Sequence, residues 1–361
     1  MTTLHEVLKL LLVFGVASLG VVRCGGESPP TGGSDGSGAT LQIVAQSGSQ
    51  WTGVAVSREE RVFVNFPRWR AGGTGSVAEI GGDGSTHWYP SDDWNDWSEG
   101  NTDYGHIFVC VQSVYIDDEN VLWVLDTGNP FLRGVVPGAA KLVRIDLASD
   151  AVVRTYTFDS TMLAPERYLN DVRIDTRKQV AYISESGLGA IIVVDLISGA
   201  SRILLDGDLS TTAESTTFTV EGRTLTNSIH CDGIALTEDG GTLYYKPLSG
   251  RELFKIDTRY LRDSTLTHQA LAARVEFVAN VGICDGLECD LDGSLYITSL
   301  EENAIKRLTP QPILETVCQD ARFKWPDSIF ITEDKMLYFT TSQLHLGGNV
   351  TDPYRVFRVR I

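Results

Sequence analysis

One hairpin pattern occurs six times along this chain, and it constrains the fold more than any other feature. In each copy an apolar strand, a short polar turn and a second strand with a central aromatic follow one another. Alternating apolar residues with Asp, Glu and Gly in the turns are typical of β-hairpins. The copies begin at Gly53, Ser113, Asp171, Asp232, Asp285 and Asp327, and their aromatics are Phe63, Trp123, Tyr182, Tyr244, Tyr296 and Tyr338.

Further strands follow most of these hairpins. Third strands are predicted from Ala140, Ala190, Glu252 and Ala304, and fourth strands from Ala151 and Ser201. Because long helical patterns are missing, the sequence predicts an all-β fold, a six-bladed β-propeller with four-stranded antiparallel blades. The last unit stops at its third strand, whereas residues 41–45 are a spare strand at the other end. We expect this N-terminal strand to complete the last blade and close the ring.

The first forty residues are predicted to lie outside the propeller domain, which is assigned to residues 41–361. The apolar run at residues 10–22 is too short for a membrane-spanning helix, which needs about 20 residues, and suits a secretory signal at residues 1–24. If a bacterium makes the protein, Cys24 is a candidate lipid anchor, although Arg23 stands where a small residue is preferred. An uncleaved membrane anchor is the alternative. Residues 25–40 are rich in Gly, Ser and Pro and read as a flexible linker.

The formal net charge of −17 excludes some partners. Nucleic acids and anionic membrane surfaces are polyanions and would repel such a chain, so a membrane contact is expected only through Cys24. The predicted location is extracellular, periplasmic or at the cell envelope. Oligomeric state is left open.

Acidic and amide residues recur where the innermost strands begin. These positions are Asn170, Asp171, Asp232, Asp285 and Asp327. Carboxylates that converge on a propeller axis repel one another, and Ca²⁺ with its preference for oxygen ligands would relieve that repulsion. The alternative is structural, since an Asp before a Gly, as at 232–233 and 285–286, often makes a turn and caps backbone N–H groups.

Two loops add candidate ligand-binding residues. The insertion at residues 81–106 carries Trp88, Tyr89 and Trp94 among acidic residues, and this combination suits a flat or cationic ligand. The alternative is that the indoles pack under the loop. A loop late in the last unit supplies His345 and Asn349, and Asn349 also opens an Asn-Val-Thr sequon.

The cysteines give no zinc motif, because neither CxxC nor HxxxH spacing occurs. Buried thiols with at most one or two disulfides are the favoured interpretation.

Several segments resemble the major royal jelly protein/Yellow family. They are residues 113–128 (SVYIDDENVLWVLDTG), 168–175, 232–256 and 325–344, with a further likeness at WYPS, 88–91. The resemblance covers essentially all of residues 45–361 and implies a secreted six-bladed propeller, although the leader and linker look bacterial. It does not imply one activity, since family members act on dopachrome-type intermediates, bind biogenic amines or serve as nutritional or structural proteins. The axial set is also similar to the calcium site of gluconolactonase-type propellers, which implies Asn170, Asp232 and Asp285 as metal ligands.

Three functions are compatible with these features. The first is binding of a small ligand, an amine or a catechol- or quinone-like molecule, at the channel mouth by Trp88, Tyr89, Trp94, Asp171, Asp327, His345 and Asn349. The second is a calcium-dependent hydrolase or isomerase in which His230 or an axial Asp moves a proton. The third is a surface or matrix protein without a small ligand. Whether the protein is an enzyme is left open.

Overall fold

The computed structural model of this chain describes residues 40–73, 75–159 and 162–361. The predictions made for residues 1–39, including the signal, Cys24 and nearly all of the linker, lie outside these residues. Within the described ranges, no helix is long and apolar enough to cross a membrane.

The described chain forms six four-stranded antiparallel sheets, which are the blades of a propeller. It begins with β1 (Gln42–Ser47), which belongs to the last blade. The first three blades then follow in chain order, each listed from its inner to its outer strand: β2 (Val54–Val56), β3 (Val62–Asn65), β4 (Val77–Ile80) and β5 (Thr86–Trp88); β6 (Val111–Ile116), β7 (Val121–Asp126), β8 (Lys141–Asp146) and β9 (Ala151–Thr157); β10 (Leu169–Asp175), β11 (Val180–Glu185), β12 (Ala190–Asp195) and β13 (Ser201–Leu204).

A two-stranded hairpin, β14 (Thr217–Val220) and β15 (Arg223–Thr226), separates the third blade from the fourth. The remaining blades consist of β16 (Cys231–Leu236), β17 (Thr242–Pro247), β18 (Glu252–Asp257) and β19 (Glu276–Asn280); β20 (Leu287–Cys289), β21 (Leu295–Ser299), β22 (Ala304–Leu308) and β23 (Leu314–Gln319); β24 (Pro326–Ile331), β25 (Met336–Thr341), β26 (Tyr354–Arg360) and β1. Short helices lie in connections: α1 (Asp92–Asn95), α2 (Thr258–Arg262) and α3 (His268–Ala272).

The ring closes as the sequence predicted. Each inner strand contacts the inner strands of the two neighbouring blades, and β24 of the last blade contacts β2 of the first. The N-terminal strand β1 pairs antiparallel with β26, from Gln42 opposite Arg358 to Ser47 opposite Tyr354. The last blade is therefore built from both ends of the described chain, which confirms the predicted closure.

The hydrophobic core lies between neighbouring blades rather than at one centre. Leu125 and Leu142 of the second blade, for example, pack in one cluster with Ile183 and Ile192 of the third. The predicted central aromatics are buried in five of the six hairpins. The sixth, Tyr244, is half-buried, and the next residue, Tyr245, is fully buried on the opposite face of the strand. Burial on both faces of each sheet explains why the middle strands are nearly continuous in apolar residues.

Candidate functional site

A cavity lies at the end of the central channel where the inner strands begin. It holds about 500 Å³ of empty space, counted with the solvent at its mouth. Its wall combines polar residues from the starts of the inner strands with aromatic and aliphatic residues from the adjoining loops: Trp69, Gln112, Tyr168, Asn170, Ser186, Asn227, Ile229, Asp232, Leu248, Asp285, Trp325, Asp327 and Leu344. Asn170, Asp232, Asp285 and Asp327 were all predicted at this position.

Local irregularities of the inner strands present these side chains to the cavity. The pairing register of β10, β16 and β24 with the following strand shifts where each inner strand begins. Hydroxyl groups on the second strands bind the backbone at the same level: Thr298 accepts from the N–H groups of Asp285 and Gly286 at 3.1 and 2.9 Å. Such bulges turn a side chain out of the regular pleat. These irregularities turn Asn170, Asp232 and Asp327 toward the channel, whereas Asp285 lies just before β20.

The glycines that follow two of the axial acids have a packing role that the sequence did not indicate. A Cβ on Gly233 would lie 2.5 Å from the backbone oxygen of Asp285, and a Cβ on Gly286 would lie 2.2 Å from that of Asp327. Gly233 lies inside β16, so the Asp-Gly pair at 232–233 is not a hairpin turn. These glycines let neighbouring inner strands approach closely at the cavity.

Three carboxyl groups in the cavity wall, those of Asp232, Asp285 and Asp327, are buried and raise one another's pKa or share hydrogen bonds. The amide N–H of Asn170 donates to Asp232 Oδ1 at 2.8 Å, and Asp232 and Asp285 share a hydrogen bond. The indole Nε1–H of Trp325 donates to Asp285 Oδ2 at 2.7 Å. Burial raises the pKa of Asp232 and of Asp327 well above the usual range, and in both cases the charge of Asp285 raises it further. Burial also raises the pKa of Asp285, whereas the hydrogen bonds from Asp232 and Trp325 oppose that rise.

These three acids differ from most other buried acids of the described chain because none of them forms an ion pair there. Five other buried acids have a cationic partner within 4 Å: Asp126 with Lys141, Asp175 with Lys178, Glu185 with Arg167, Glu288 with Arg173 and Asp290 with Lys335. Lys246 is fully buried nearby, but its ammonium group donates to two backbone carbonyls. The charge of Lys246 still lowers the pKa of Asp285, but no basic side chain of the described residues forms an ion pair with any of the three acids.

Three aromatic residues, Trp69, Tyr168 and Trp325, also line the cavity, and the sequence analysis missed them. Trp69 Nε1–H donates to the hydroxyl of Tyr168 at 2.6 Å, and that hydroxyl donates to Gln112 Oε1 at 2.7 Å. Tyr168 and Trp325 each stand two residues before an axial polar residue. An aromatic residue that recurs at the same offset from an axial position is the signal that could have identified both.

Beyond the cavity, a buried arginine bridges the channel. Arg173 on β10 donates to Asp171 at 2.9 Å, and across the channel to the backbone oxygen of Leu287 at 2.7 Å, with Glu288 at 3.2 Å. Asp171 also accepts from the hydroxyl of Ser113 at 2.5 Å. Asp171, a predicted ligand contact, is therefore neutralised by Arg173 and lies outside the cavity wall.

The aromatic residues of the 81–106 insertion do not lie at the cavity, contrary to their predicted position. Trp88 is on β5, the outermost strand of the first blade, and its indole packs on Gly75 and Phe66. Trp88 is held away from the cavity by this packing, which is the alternative that the sequence analysis gave for the loop.

Tyr89 and Trp94 are likewise used by the first and second blades. Tyr89 is buried and its hydroxyl donates to Asp150 at 2.8 Å. Trp94, on α1, packs against Phe108 at 4.9 Å between ring centres.

The two residues predicted on the last loop are also outside the cavity wall. His345 is buried, with its ring stacked on Trp325, so it lies one layer behind the wall. Asn349 is exposed in the following loop. His230, the candidate proton carrier, accepts at Nδ1 from the backbone N–H of Ala213 at 2.9 Å, and burial lowers its pKa.

The axial residues have the donor chemistry for Ca²⁺, but not the arrangement. In the part of the chain that the structure describes, no group of three or more His, Cys, Asp or Glu side chains is placed to hold a metal ion. Asn170 turns an N–H group toward Asp232, and Asp232 and Asp285 bond to each other. These side chains bond to one another instead of facing a common ion, so a bound cation would require them to reorient, and calcium stays a prediction from the sequence.

All five cysteines among the described residues are free thiols. Cys110, Cys231 and Cys284 are buried, and Cys289 and Cys318 are half-buried. The disulfides that the sequence analysis allowed are therefore not formed within these ranges.

Fold and cavity together define the class: a six-bladed β-propeller with an acidic, aromatic-walled cavity on its axis. The model of the family described as "Major royal jelly protein" matches residues 109–361, so the chain belongs to the major royal jelly protein family. It is 28% identical over 234 residues to the protein yellow of Drosophila subobscura and 27% identical over 232 residues to that of Drosophila melanogaster. Each alignment covers 58% of this chain but only 39% and 41% of those relatives.

Solved structures support the fold alone, because their sequences are distant. A luciferin-regenerating enzyme superposes with a TM-score of 0.58 at 12% identity, covering 90% of this chain and 96% of that one. A gluconolactonase from Xanthomonas campestris gives 0.55 at 12% identity, covering 89% of both chains. The virginiamycin B lyase of Staphylococcus aureus gives 0.53 at 14% identity, covering 90% and 99%.

Proposed function

We propose that this protein binds a small organic cation, an amine carried on a flat apolar body, in the axial cavity. The observation that carries the proposal is the set of three buried acids, Asp232, Asp285 and Asp327, which face the cavity without a basic partner among the described residues. A buried carboxyl group without a counter-charge is unfavourable, and an ammonium group placed among these three would offset that cost with charge-assisted hydrogen bonds.

The remaining wall suits the rest of such a ligand. Trp69, Tyr168 and Trp325 supply aromatic surface, and Ile229, Leu248 and Leu344 supply aliphatic surface. Aromatic faces attract cations and also stack on flat rings. Gln112 Oε1 can accept from a hydroxyl group, and the buried Nδ2 of Asn227, which has no partner among the described residues, can donate to one, so a catechol-type ring is the second ligand class that the cavity would take.

The proposal is tested with a charged probe and its neutral counterpart. We expect calorimetry to detect binding of 2-phenylethylamine and to show at least tenfold weaker binding of 2-phenylethanol, because only the amine carries the charge. Asp285→Asn and Asp327→Asn keep the side-chain size and should each lower the amine affinity by roughly ten- to a hundredfold.

Asp334→Asn is the matched control, since Asp334 is exposed and paired with Arg360 in a hairpin turn of the last blade. Its affinity should equal that of the unmodified protein. Equal binding of the amine and the alcohol, or an unchanged affinity in both cavity variants, would contradict the proposal. A panel that includes catechol decides whether the second ligand class is also accepted.

The second candidate is the calcium-dependent hydrolase or isomerase, which the fold likeness to a gluconolactonase favours. Asn170, Asp232 and Asp285 are the proposed ligands. This candidate requires the side chains to reorient, because Asn170 now donates an N–H group to Asp232. It predicts that CaCl₂ raises the Tm, that EDTA reverses the rise, and that a lactone panel is hydrolysed only with calcium. An unchanged Tm together with no hydrolysis would exclude it.

Asp232 and Asp285 are used in both candidates, to bind an ammonium group in the first and a calcium ion in the second. Removal of calcium therefore distinguishes the two. Amine binding that persists in EDTA supports the first. Export from the cytoplasm stays a prediction of the sequence for either one.

A further inference from the structure

The hairpin formed by β14 and β15 stands outside the blades and reaches two of them with its tip. Glu221, in the turn between its strands, accepts from Asn303 Nδ2 at 3.0 Å, and its other oxygen lies 2.8 Å from His345 Nε2. Asn303 belongs to a turn of the fifth blade and His345 to a loop of the sixth. In the described part of the chain, the backbone hydrogen bonds of the hairpin strands lie within the hairpin or at its base. The position of the tip therefore depends on side-chain contacts.

The more unusual partner of Glu221 is His345, because its side chain is completely buried. A carboxylate can only accept, so Nε2 carries the hydrogen of this contact. The other ring nitrogen, Nδ1, has no hydrogen-bond partner within the described ranges. Burial lowers the pKa of His345, which Glu221 opposes, while nearby Arg223 and Lys324 favour the neutral ring. The polar contacts of this buried ring thus consist of the bond to Glu221.

The face of the same ring holds a residue of the cavity wall. The imidazole of His345 stacks on the indole of Trp325, with ring centres 6.0 Å apart and planes within 7°. Phe218 of the hairpin contacts the same indole at 6.1 Å. Trp325 is fully buried and donates its Nε1–H to Asp285. The hairpin therefore touches Trp325 directly through Phe218 and indirectly through Glu221 and His345.

We propose that Glu221 and His345 are positioning residues for the cavity: they hold the indole of Trp325 so that its N–H stays on Asp285, and they thereby set cation affinity from the hairpin tip. The ligand part of this inference rests on the proposed function, whereas the positioning part does not. Burying a histidine that has only one polar partner is unfavourable, and phenylalanine would fill the same space without that cost. A histidine at this position is explained if the bond to Glu221 and the stack on Trp325 are needed together.

The positioning part is tested without a ligand, on the indole N–H resonances of the seven tryptophans. Trp325→Phe assigns the resonance of Trp325, whose hydrogen bond to a carboxylate should place it downfield. In Glu221→Ala we expect this resonance to shift toward that of a free indole and to exchange faster with solvent. Glu221→Gln keeps the length and one acceptor oxygen and should restore most of the wild-type position. His345→Phe keeps the stack and loses the bond, so it should resemble Glu221→Ala.

Thr219→Ala is the matched control on the same hairpin, because within the described chain the hydroxyl of Thr219 contacts only Thr224 of the neighbouring strand. It should leave the Trp325 resonance unchanged. If Glu221→Ala lowers the Tm but leaves that resonance in place, the role of Glu221 is merely structural and the inference is overturned. If His345→Phe does not fold, Glu221→Ala decides alone, since Glu221 is partly exposed.

The ligand part uses 2-phenylethylamine. Glu221→Ala should weaken its binding roughly three- to tenfold, the loss expected when one hydrogen bond to an ionised group weakens, and mainly through faster dissociation. A shifted resonance with unchanged affinity would overturn the link to binding. If the unmodified protein binds no amine at all, the proposed function fails, and the resonance still decides the positioning role separately.

Discussion

Glu288 shows how a single buried carboxyl group can make stability depend on pH. It lies in the channel beside Arg173, and burial raises its pKa to about 7, an effect that Arg173 opposes and Asp171 reinforces. The folded chain therefore holds this proton more tightly than the unfolded chain does. The resulting stabilisation is complete below about pH 4.5 and is lost as the pH rises through about 7.

We predict that Glu288→Gln removes this pH dependence. Between pH 5 and pH 8 the free energy of unfolding of the unmodified protein should fall more steeply than that of the variant, by up to roughly 3 kcal/mol. Asp171 still pairs with Arg173 in the variant, so the arginine is not left without a partner. Urea unfolding at both pH values measures the difference.

Glu333→Gln is the control, because this side chain is 76% exposed and should not change the slope. Parallel pH profiles for Glu288→Gln and the unmodified protein would show that Glu288 ionises normally in the fold.

At the scale of elements, the segment from β5 to β6 has a structural role, although its aromatic and acidic composition suggested ligand binding. The buried side chain of Asn95, at the end of α1, accepts from the backbone N–H groups of Ser76 and Val77 and donates to the backbone oxygens of Tyr89 and Ser91. These four bonds fix the segment against the first blade. The aromatic residues around them pack against the first two blades.

We predict that Trp94→Ala lowers stability without affecting the cavity. Loss of the contact with Phe108 should lower the free energy of unfolding by roughly 2–4 kcal/mol. The loss should be smaller than for a fully buried tryptophan, because Trp94 is only half-buried. Trp69→Ala, which removes a tryptophan from the cavity wall, should by contrast weaken 2-phenylethylamine binding. Thermal unfolding and calorimetry on both variants give the comparison. A loss of affinity in Trp94→Ala would instead support the position at the channel mouth that the sequence suggested.

The difference between these elements explains what could be predicted. Hairpin repeats are recognisable in the sequence because strand alternation and turn residues are local. The blades were therefore predicted, and so was a closing strand at residues 41–45, which the structure has at Gln42–Ser47. Asp232 and Asp285 were placed at the cavity for the same reason, since they occupy equivalent positions of the repeat. The hairpin of β14 and β15 breaks the repeat, and the contact of its turn with His345 spans 124 positions in the sequence. No local pattern reports such a contact.

At the scale of the whole molecule, the net charge of −17 separates into surface and cavity. Acids in hairpin turns, such as Asp239 and Asp334, lie at the exposed ends of the blades and bond to neighbouring turn hydroxyls. The three acids of the cavity are a small part of the total, but they are buried, they line one cavity, and none of them forms an ion pair in the described chain. The global charge still bears on binding, since a negative surface raises the local concentration of cationic ligands.

Closure of the ring is the property on which the whole molecule depends, and β1 provides it. This strand supplies the outer edge of the last blade and continues directly into Trp51, a fully buried residue beside the first blade. It thus completes one blade and covalently links that blade to the next. These two contributions are separable by rearranging the chain.

We predict that deleting residues 42–47 lowers the Tm by about 10 °C or more, because β26 becomes an unpaired edge and the link between the last and first blades is lost. Moving the same segment behind Ile361 through an Asn-Gly turn restores the antiparallel pair with β26 as a hairpin but leaves the link cut. The Tm of this permuted chain should lie between the Tm of the deletion variant and that of the unmodified protein.

Ile43→Thr, a change at a 41% exposed position of the strand, is the control and should have little effect on the Tm. If the permuted chain is as stable as the unmodified protein, strand pairing alone closes the ring; if it is no better than the deletion, the covalent link is what matters. An unchanged Tm in the deletion variant would refute the closing role of β1.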